Sequence, residues 1–452
     1  MEPVLLFILG VAVIFVGLAL SIGLHEIGHL LPAKLFGVKV TQYMIGFGPT
    51  LWSKKKGETE YGFKAIPLGG YISMIGMFPP KKDGAVRSAS TGFFDTLVQE
   101  GVPDKKQTAM STMVDDARQA SADTIGEGEE HRAFYKLPVY KRIIIMLGGP
   151  TMNLLIAIVM FSILLMGFGT SQTSTTVGSV SACALSATSD RQSCQPGDEA
   201  APGAAAGLKP GDRLVSIGGT PITSWSQSTQ IIRDAPGKPL QVVVARGGVE
   251  QTLTLTPKLT ERFVVGSDGK VTTQTEQVGF VGIGAANELV RQPITSVMPA
   301  VGETIASTAG IIVHLPQRLV DVANAAFGPG ERDPNGPMSM VGVGRVAGEI
   351  ASIDTIPVQS KIASMLGILG SVNIALFVFN LVPLLPLDGG HVAGALWEGI
   401  RRAFAKLFKR PEPGPVDMAK LMPLTFAVVI LLGGMSLLLV YADIVKPVNL
   451  FG

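Results

Sequence analysis

Long apolar runs alternate with polar segments along this chain. Four runs reach the length of about 20 residues that a helix needs to cross a bilayer, and they cover residues 3–24, 143–168, 362–387 and 423–442. Hydrophobic residues make up 47% of the 452 residues and charged residues only 16%, as in membrane proteins with a sizeable polar portion. The pattern predicts four transmembrane helices, and we expect the first to continue as a helix to about residue 34.

The first run differs from a secretory signal peptide. It begins with Glu2 instead of a basic region, and no small-residue cleavage site follows it. We therefore expect it to be retained as a span.

Cations cluster in the segments between runs one and two and between runs three and four. They are Lys34, Lys39, Lys54, Lys55, Lys56, Lys64, Lys136, Lys141 and Arg142, and Arg401, Arg402, Lys406, Lys409, Arg410 and Lys420. The positive-inside rule places both segments in the cytoplasm. Both termini and residues 170–360 then lie outside it. The net charge of +2 and the absence of a nucleic-acid motif indicate no nucleic-acid partner.

Two segments near the first run have contrasting patterns. Residues 58–77 alternate apolar and small residues around a Pro-Leu-Gly-Gly break, which is typical of a β-hairpin or curled sheet. We expect a membrane-associated β-element there, because irregular backbone at membrane depth needs protein or water to satisfy it. Residues 81–133 are polar with little periodicity, so we predict a flexible cytosolic insertion.

The outer segment has the rhythm of a small β-rich domain over residues 176–260. Turn signals surround a short strand at 208–222, a short helix is expected over Ser226 to Arg233, and 240–257 has a hairpin pattern. The alternative to an independent domain with a binding function is a fragment of a β-sandwich with a purely structural role. Further along, 299–327 indicates an amphipathic helix on the outer leaflet.

Cys183 and Cys194 are the only cysteines, and both lie in this outer segment. Their spacing excludes a CxxC metal site. A disulfide closing a short loop is natural in an oxidising compartment, and two buried free thiols are the alternative.

The chemistry centres on His25-Glu26-Ile27-Gly28-His29, at the end of the first run. In HExxH the two histidines lie one helical turn apart, so both can bind a single zinc ion. Glu26 can take a proton from a zinc-activated water. The alternatives are a chance match, or a helix end whose polar residues meet the headgroups. Ionisable residues beside a span are costly and usually functional.

A catalytic zinc needs a third protein ligand and an open position. Asp388 is the candidate, because Pro383 and Pro386 interrupt the third run just before it. By the topology above, the first and third runs both pass from outside to inside, so Asp388 lies at the depth of the histidines. Alternatively, Asp388 caps the following helix. The remaining histidines are interpreted as structural or surface residues: His131, His314 and His391.

Together these residues resemble the site-2 protease family of intramembrane zinc metalloproteases. HEIGH in the first run, GPTMN (149–153) opening the second and NLVPLLPLDGG (380–390) in the third match that family in order. The nearest likeness is to the bacterial group that cleaves anti-sigma factors (the regulator of sigma-E protease group). Its members carry an extracytoplasmic PDZ domain, and the actinobacterial ones have a cysteine pair like Cys183 and Cys194.

The resemblance implies a polytopic α-helical membrane protein with four transmembrane helices, a membrane-associated β-element and an extracytoplasmic α+β PDZ domain. The expected segments are span one with HExxH (1–36), the β-element (37–80), the insertion (81–133), span two (134–170), the PDZ domain (176–260), a linker with an amphipathic helix (261–358), span three (360–390), a cytosolic basic amphipathic helix (391–420) and span four (423–444).

The resemblance also implies residue roles. His25, His29 and Asp388 would bind one Zn²⁺ per chain, with Glu26 as general acid and base. The implied substrate-binding positions are Asn380, which holds the substrate backbone, the strand-pairing residues Gly69, Gly70 and Tyr71, and Asn153, whose role is either structural or substrate-binding.

The implied function is endoproteolysis of transmembrane segments in a bacterial inner membrane, with the site toward the cytoplasm. Substrates would be single-pass proteins already shortened by a site-1 protease, such as anti-sigma factors or remnant signal peptides, and the PDZ domain would filter them. A non-proteolytic scaffold is one alternative, and the complete ligand set argues against it. A metal transporter is the other alternative, and the interiors of spans two and four contain no ionisable residues to form its pathway.

Overall fold

A computed structural model describes residues 2–80, 109–186, 189, 191, 193–265, 271–330, 332–333 and 336–448. The chain divides into two compact units. The first comprises Met1–Leu165 and Pro293–Gly452, and the second is Met166–Gln292.

Long apolar helices dominate the first unit, and α4 and α5 belong to the second. In chain order the helices are α1 (Glu2–Leu35), α2 (Ala109–Asp123), α3 (Val139–Ser162), α4 (Pro202–Ala205), α5 (Trp225–Arg233), α6 (Val297–Val313), α7 (Leu315–Phe327), α8 (Met340–Ser352), α9 (Val358–Asn380), α10 (Asp388–Leu407) and α11 (Met422–Val445).

The strands form one sheet element in the first unit and two in the second. In chain order they are β1 (Val40–Lys56), β2 (Thr59–Met74), β3 (Thr170–Val180), β4 (Arg213–Ile217), β5 (Thr220–Pro221), β6 (Leu240–Arg246), β7 (Val249–Leu255), β8 (Lys258–Val265), β9 (Val271–Phe280) and β10 (Ile283–Val290).

Among the described residues, five helical stretches are long and apolar enough to cross a membrane, by length and composition alone. They are Pro3–Leu35, Val139–Phe168, Ile294–Val313, Val358–Asn380 and Met418–Val445. Four of them match the predicted runs.

The additional candidate, Ile294–Val313, lies where the sequence predicted one amphipathic helix over 299–327. The structure instead has two helices, α6 and α7, that meet at His314. The single-helix prediction is wrong because Pro316, which lacks a backbone N–H, starts a new helix in its first turn.

α1 and α3 pack in opposite directions with their backbones in close contact. A Cβ on Gly148 would lie 1.9 Å from the carbonyl oxygen of Gly28. His29 approaches Ile145, whereas His25, one turn earlier on α1, approaches Asn153, two turns later on α3. Glycine at the crossing lets two apolar helices approach as small residues do in membranes.

α1 and α9 run in the same direction. Asn373 Nδ2 donates to Ser21 Oγ at 2.9 Å, and a Cβ on Gly17 would lie 2.7 Å from the side chain of Leu369. The numbering rises together along both helices. The polar C-terminal ends of α1 and α9 therefore lie at the same end of the bundle.

The opposite end of the bundle joins α1, α8 and α11. A Cβ on Gly10 would lie 2.6 Å from the carbonyl oxygen of Ala347 in α8. Asp443, near the end of α11, accepts a hydrogen bond from the backbone N of Ser339 at 2.6 Å and forms a buried ion pair with Arg332. Gly344 of α8 faces Phe15 of α1, which places Asp443 level with the middle of α1. Leu432, earlier in α11, lines the same cavity as His25, so α11 runs opposite to α1.

β1 and β2 fold into a curled sheet beside α1. Met44 of β1 lies between two parts of β2, opposite Tyr71 on one side and Gly62 on the other. The two long strands therefore bend and pair with each other more than once. The hydroxyl of Tyr43 donates to the carbonyl of Gly23 at 2.8 Å. This contact ties the sheet to α1 just before the two histidines.

Part of the predicted flexible insertion is an ordered helix. α2 covers Ala109–Asp123, where the backbone N of Phe78 donates to Ser121 Oγ at 2.9 Å and Arg118 forms an ion pair with Asp417. Good helix formers such as Ala, Met, Arg and Gln favour this helix although its apolar periodicity is weak. Residues 81–108 lie outside the described residues.

The second unit is built on a sheet in the order β10-β3-β4-β6-β7, with β8 and β9 forming a separate pair. Its core includes Val177, Leu214, Val242 and Val244. The unit extends to Gln292 instead of the predicted 260, because the last strand, β10, pairs with the first, β3. A pattern read along the chain does not reveal such a distant pairing.

The two cysteines of the second unit are joined. Cys183 and Cys194 form a disulfide with an S–S distance of 2.01 Å. The bridge closes a short loop next to the strand-like contact of Cys183 with Ala200.

Candidate metal centre

His25 and His29 lie near the C-terminal end of α1 with their imidazoles on one face. Four residues make slightly more than one helical turn, and the two Nε2 atoms are 3.2 Å apart. Both side chains are largely shielded, with 12% and 5% of their surface exposed. The helical spacing predicted from the motif is therefore present in three dimensions.

Asp388, the first residue of α10, completes a triangle with the histidines. Its Oδ2 lies 3.4 Å from His25 Nε2 and 3.3 Å from His29 Nε2. Tetrahedral zinc with bonds of about 2.0–2.1 Å keeps its ligand atoms about 3.3–3.4 Å apart. The three side chains therefore fit a zinc ion, and they form the group of possible metal ligands found among the described residues.

The surroundings of Asp388 support the same fit. Its Oδ2 is buried and, within the described part of the chain, has no hydrogen-bond partner, although it lies close to the two imidazole nitrogens. A buried carboxylate oxygen without a hydrogen-bond donor is costly unless a cation neutralises it. Asp388 is not the N-cap considered for it, because it is itself the first residue of α10 and the N-cap residue is Leu387.

Each histidine also has a partner at its second nitrogen. Nδ1 of His29 lies 2.7 Å from the carbonyl oxygen of Ile145, to which it can only donate. This leaves the lone pair on Nε2, the nitrogen that faces Asp388. Nδ1 of His25 lies 3.0 Å from Nδ2 of Asn153. Such outer contacts orient metal-binding histidines.

Gly149 keeps the space next to the imidazoles empty. A Cβ at this position would lie 2.2 Å from His29 Nε2 and 2.6 Å from His25 Nε2. Any side chain would therefore occupy the position of a metal ion or displace the histidines. In the sequence Gly149 has no role beyond the family motif, and only the approach of α3 to α1 reveals this one.

Glu26 lies beside the triangle and is buried, with 8% of its surface exposed. Its carboxylate lies beside the backbone of Ile72 in β2. A Cβ on Gly70 would lie 3.0 Å from Glu26 Cγ. The strand therefore passes directly over this glutamate, which is placed to exchange protons with a group held between strand and metal site.

A cavity of about 800 Å³ connects these groups. The three possible ligands line it. So do the predicted substrate-binding residues, which are Gly69, Gly70, Tyr71, Asn153 and Asn380. Asn153 is fully buried and contacts His25, whereas Asn380 is the last residue of α9. The structure thus brings all the predicted site residues of the first unit to one cavity.

Two cavity residues were missed or given another role. Phe47 stacks on Tyr71 with ring centroids 6.5 Å apart, and no sequence signal distinguishes it from other apolar residues of β1. His391 lines the cavity as well, and its spacing of three residues from Asp388 was the available signal. Among the described residues, His131 and His314 each bond only a nearby carbonyl of their own turn.

Comparison with known proteins agrees with this geometry. The model of peptidase family M50 matches residues 13–411. The chain belongs to peptidase family M50. It is 33% identical over 460 residues to the zinc metalloprotease Rip1 of Mycobacterium tuberculosis H37Rv, covering 99% of this chain and 100% of that protein. The zinc metalloprotease RasP of Geobacillus kaustophilus is 27% identical, with 83% and 86% covered.

Membership of family M50, the site-2 proteases, establishes several predictions. The protein is a zinc metalloprotease, its cofactor is Zn²⁺, and it is a membrane protein. Another relative, the metalloprotease MmpA of Caulobacter vibrioides, is 28% identical over 404 residues, with 87% of each chain covered. The predicted family and enzyme class are therefore confirmed.

Proposed function

We propose that this M50 protease is an endopeptidase that cleaves transmembrane segments of single-pass membrane proteins after a site-1 protease has shortened them. Anti-sigma factors are the substrates that we expect, and remnant signal peptides are a further class. The observation that carries the proposal is the convergence of His25, His29, Asp388 and Glu26 at the end of a long apolar helix. They line a cavity to which strand β2 also contributes.

His25, His29 and Asp388 would hold the zinc ion in this proposal. A bound zinc ion supplies Lewis-acid polarisation of a peptide carbonyl and makes a water molecule more acidic. Glu26 takes the proton from the attacking water and transfers it to the leaving amine. Its burial beside Ile72 and Gly70 excludes bulk water from this transfer.

Substrate binding would use β2 and the end of α9. A helical peptide bond is shielded by its own backbone hydrogen bonds, so the segment must be extended before hydrolysis. An extended peptide can add to the edge of a sheet, and Gly69 to Tyr71 line the cavity on β2. Asn380 also lines the cavity, and its amide would hold the substrate backbone.

We also propose that the second unit is a PDZ domain outside the cytoplasm. Helix α5 and residues 278–283 border a cavity of about 380 Å³, and β10 is an edge strand. The disulfide suits an oxidising compartment. A PDZ domain of this kind would act as a filter on substrates, either by capturing a peptide or by obstructing bulky outer domains.

We infer that four of the five candidate helices cross the membrane. α1 and α9 run in one direction, and α3 and α11 in the other, as the contacts above show. α3 therefore ends, and α9 begins, on the same side. If α6 also crossed the membrane, another helix would have to cross back before α9. The helices between them, α7 and α8, have only 13 residues each. That length is about 20 Å of helix, which is too short to cross. Both termini then lie outside the cytoplasm.

The decisive experiment replaces Glu26 with Gln. In proteoliposomes containing a single-pass substrate without its outer domain, we expect cleavage to fall at least about 100-fold. Zinc content and thermal stability stay at wild-type values, because the glutamine side chain has nearly the same shape as glutamate and the metal ligands are unchanged. Persistent cleavage contradicts the role of Glu26, and zinc uptake into the vesicles would instead favour transport. The same variant can retain bound substrates for identification.

A further inference from the structure

Asn153 occupies an unusual position for a polar residue on a spanning helix. It is fully buried in α3, and its Nδ2 lies 3.0 Å from Nδ1 of His25. Its Oδ1 is also buried and has no hydrogen-bond partner among the described residues. A buried amide in a membrane helix is costly unless it has a specific role.

The two possible orientations of this amide have opposite consequences for His25. With Nδ2 toward the ring, Nδ1 must accept, and the single proton of the neutral imidazole then sits on Nε2. That nitrogen lies 3.4 Å from Asp388 Oδ2, where the metal ligands meet. A protonated Nε2 has no lone pair for a metal. With Oδ1 toward the ring, Nδ1 carries the proton and Nε2 is free.

We propose that Asn153 is a positioning residue whose Oδ1 accepts the Nδ1–H of His25 and so orients Nε2 toward zinc. The amide reaches this orientation by a half rotation, since its O and N termini have nearly the same shape. His29 shows the same arrangement with a backbone acceptor, the carbonyl oxygen of Ile145 at 2.7 Å. Each histidine thus has one fixed acceptor behind it. The inference rests on the zinc site of the proposed function.

A role in binding substrate is the competing interpretation of Asn153. That role needs an amide free to reach a substrate backbone, whereas this side chain is fully buried and directed at His25. A purely structural role is the other competitor. Asn373 of α9 is the comparison for that role, because it is equally buried. Within the described part of the chain its Oδ1 is also unpaired and its Nδ2 bonds only Ser21 and Leu369.

The test uses the full-length protein in detergent, with zinc affinity measured by competition against a chelator. Asn153→Leu removes the acceptor, and we expect zinc to bind about 10–100-fold more weakly, as for other outer-shell changes. Asn153→Asp keeps an acceptor and forms a carboxylate–histidine–metal arrangement, so zinc affinity stays at the wild-type value. The matched control, Asn373→Leu, removes a buried asparagine that does not contact a ligand, and zinc affinity is unchanged.

Cobalt substitution gives a second readout, because the visible absorption of Co²⁺ reports the geometry of its ligands. We expect an altered spectrum in Asn153→Leu only. Unchanged zinc affinity in folded Asn153→Leu, or equal weakening in Asn153→Asp and Asn153→Leu, overturns the inference. If Asn153→Leu does not fold, Asn153→Ala takes its place, because alanine also removes the acceptor. Absence of zinc binding in the wild-type protein would contradict the proposed function itself.

Discussion

At the scale of single residues, Gly149 illustrates how a missing side chain permits a metal site. Its position against both imidazoles predicts that Gly149→Ala lowers zinc affinity, by at least about 10-fold on the scale of changes next to metal ligands. The added methyl group would lie 2.2 Å from His29 Nε2, so the ring or α3 must move. Chelator competition measures the effect.

Gly167 provides the matched control for this change. It lies in the π-helical turn after α3, and an added Cβ meets no atom within 4 Å. Gly167→Ala should therefore bind zinc as the wild type does. Wild-type affinity in Gly149→Ala would show that the metal does not occupy the space between Gly149 and the histidines.

The residues of this site differ in how far the sequence reveals them. His25, Glu26 and His29 lie within five positions, so a local motif suffices to identify them. Asp388 is identified only by comparing the depths at which the first and third spans end. The contact between Asn153 and His25 joins residues 128 positions apart, and no local pattern predicts it.

At the scale of elements, β2 passes over Glu26. We therefore predict that a substitution in this strand lowers the rate of cleavage without lowering the zinc content. Gly70→Val adds a side chain whose Cβ would lie 3.0 Å from Glu26 Cγ and 3.0 Å from Ile22. The strand must move away from α1, so we expect kcat/KM to fall at least about 10-fold while zinc content is retained. Thr50→Val, at an exposed position of β1, is the control. Wild-type kinetics in Gly70→Val would contradict the role of this strand.

The second unit contains a pH-dependent element, the pair of Asp212 and Arg246. Arg246 Nε donates to Asp212 Oδ1 at 2.7 Å, and this hydrogen bond, together with one from the backbone N of Lys209, lowers the pKa of Asp212 although burial opposes it. A carboxyl group with a lowered folded pKa stabilises the unit above its unfolded pKa of about 3.9. That stability is lost as the pH falls through the lower folded pKa.

Substitution of Arg246 tests this element. Arg246→Met should lower the free energy of unfolding of the second unit by about 2 kcal/mol at pH 7, the scale of a hydrogen bond to a charged group. Hydrogen exchange of peptides from 208–246, in the full-length protein, measures the change. The difference between variant and wild type should shrink below about pH 4. A difference independent of pH would exclude the carboxylate as its source.

At the scale of the whole molecule, the helix directions predict which positions are accessible from each side. In a background in which both cysteines are replaced by serine, single cysteines at Lys55 and Lys409 should be labelled by a membrane-impermeant thiol reagent only from the cytoplasmic side. If four helices cross and α6 does not, as we propose, cysteines at His314 and Asp354 should react only from outside. Cytoplasmic labelling at His314 would show that α6 crosses.

The sequence by itself determined the membrane-spanning helices, the HExxH motif and the family, because these signals are local runs or short motifs. Tertiary structure decided what depends on distant contacts. It brought Asp388 to the histidines, placed Gly149 against their Nε2 atoms and Asn153 behind His25, and paired β10 with β3 beyond the predicted domain end. A zinc site tolerates errors of only a few tenths of an ångström, and helix packing, which no run of residues encodes, sets those distances.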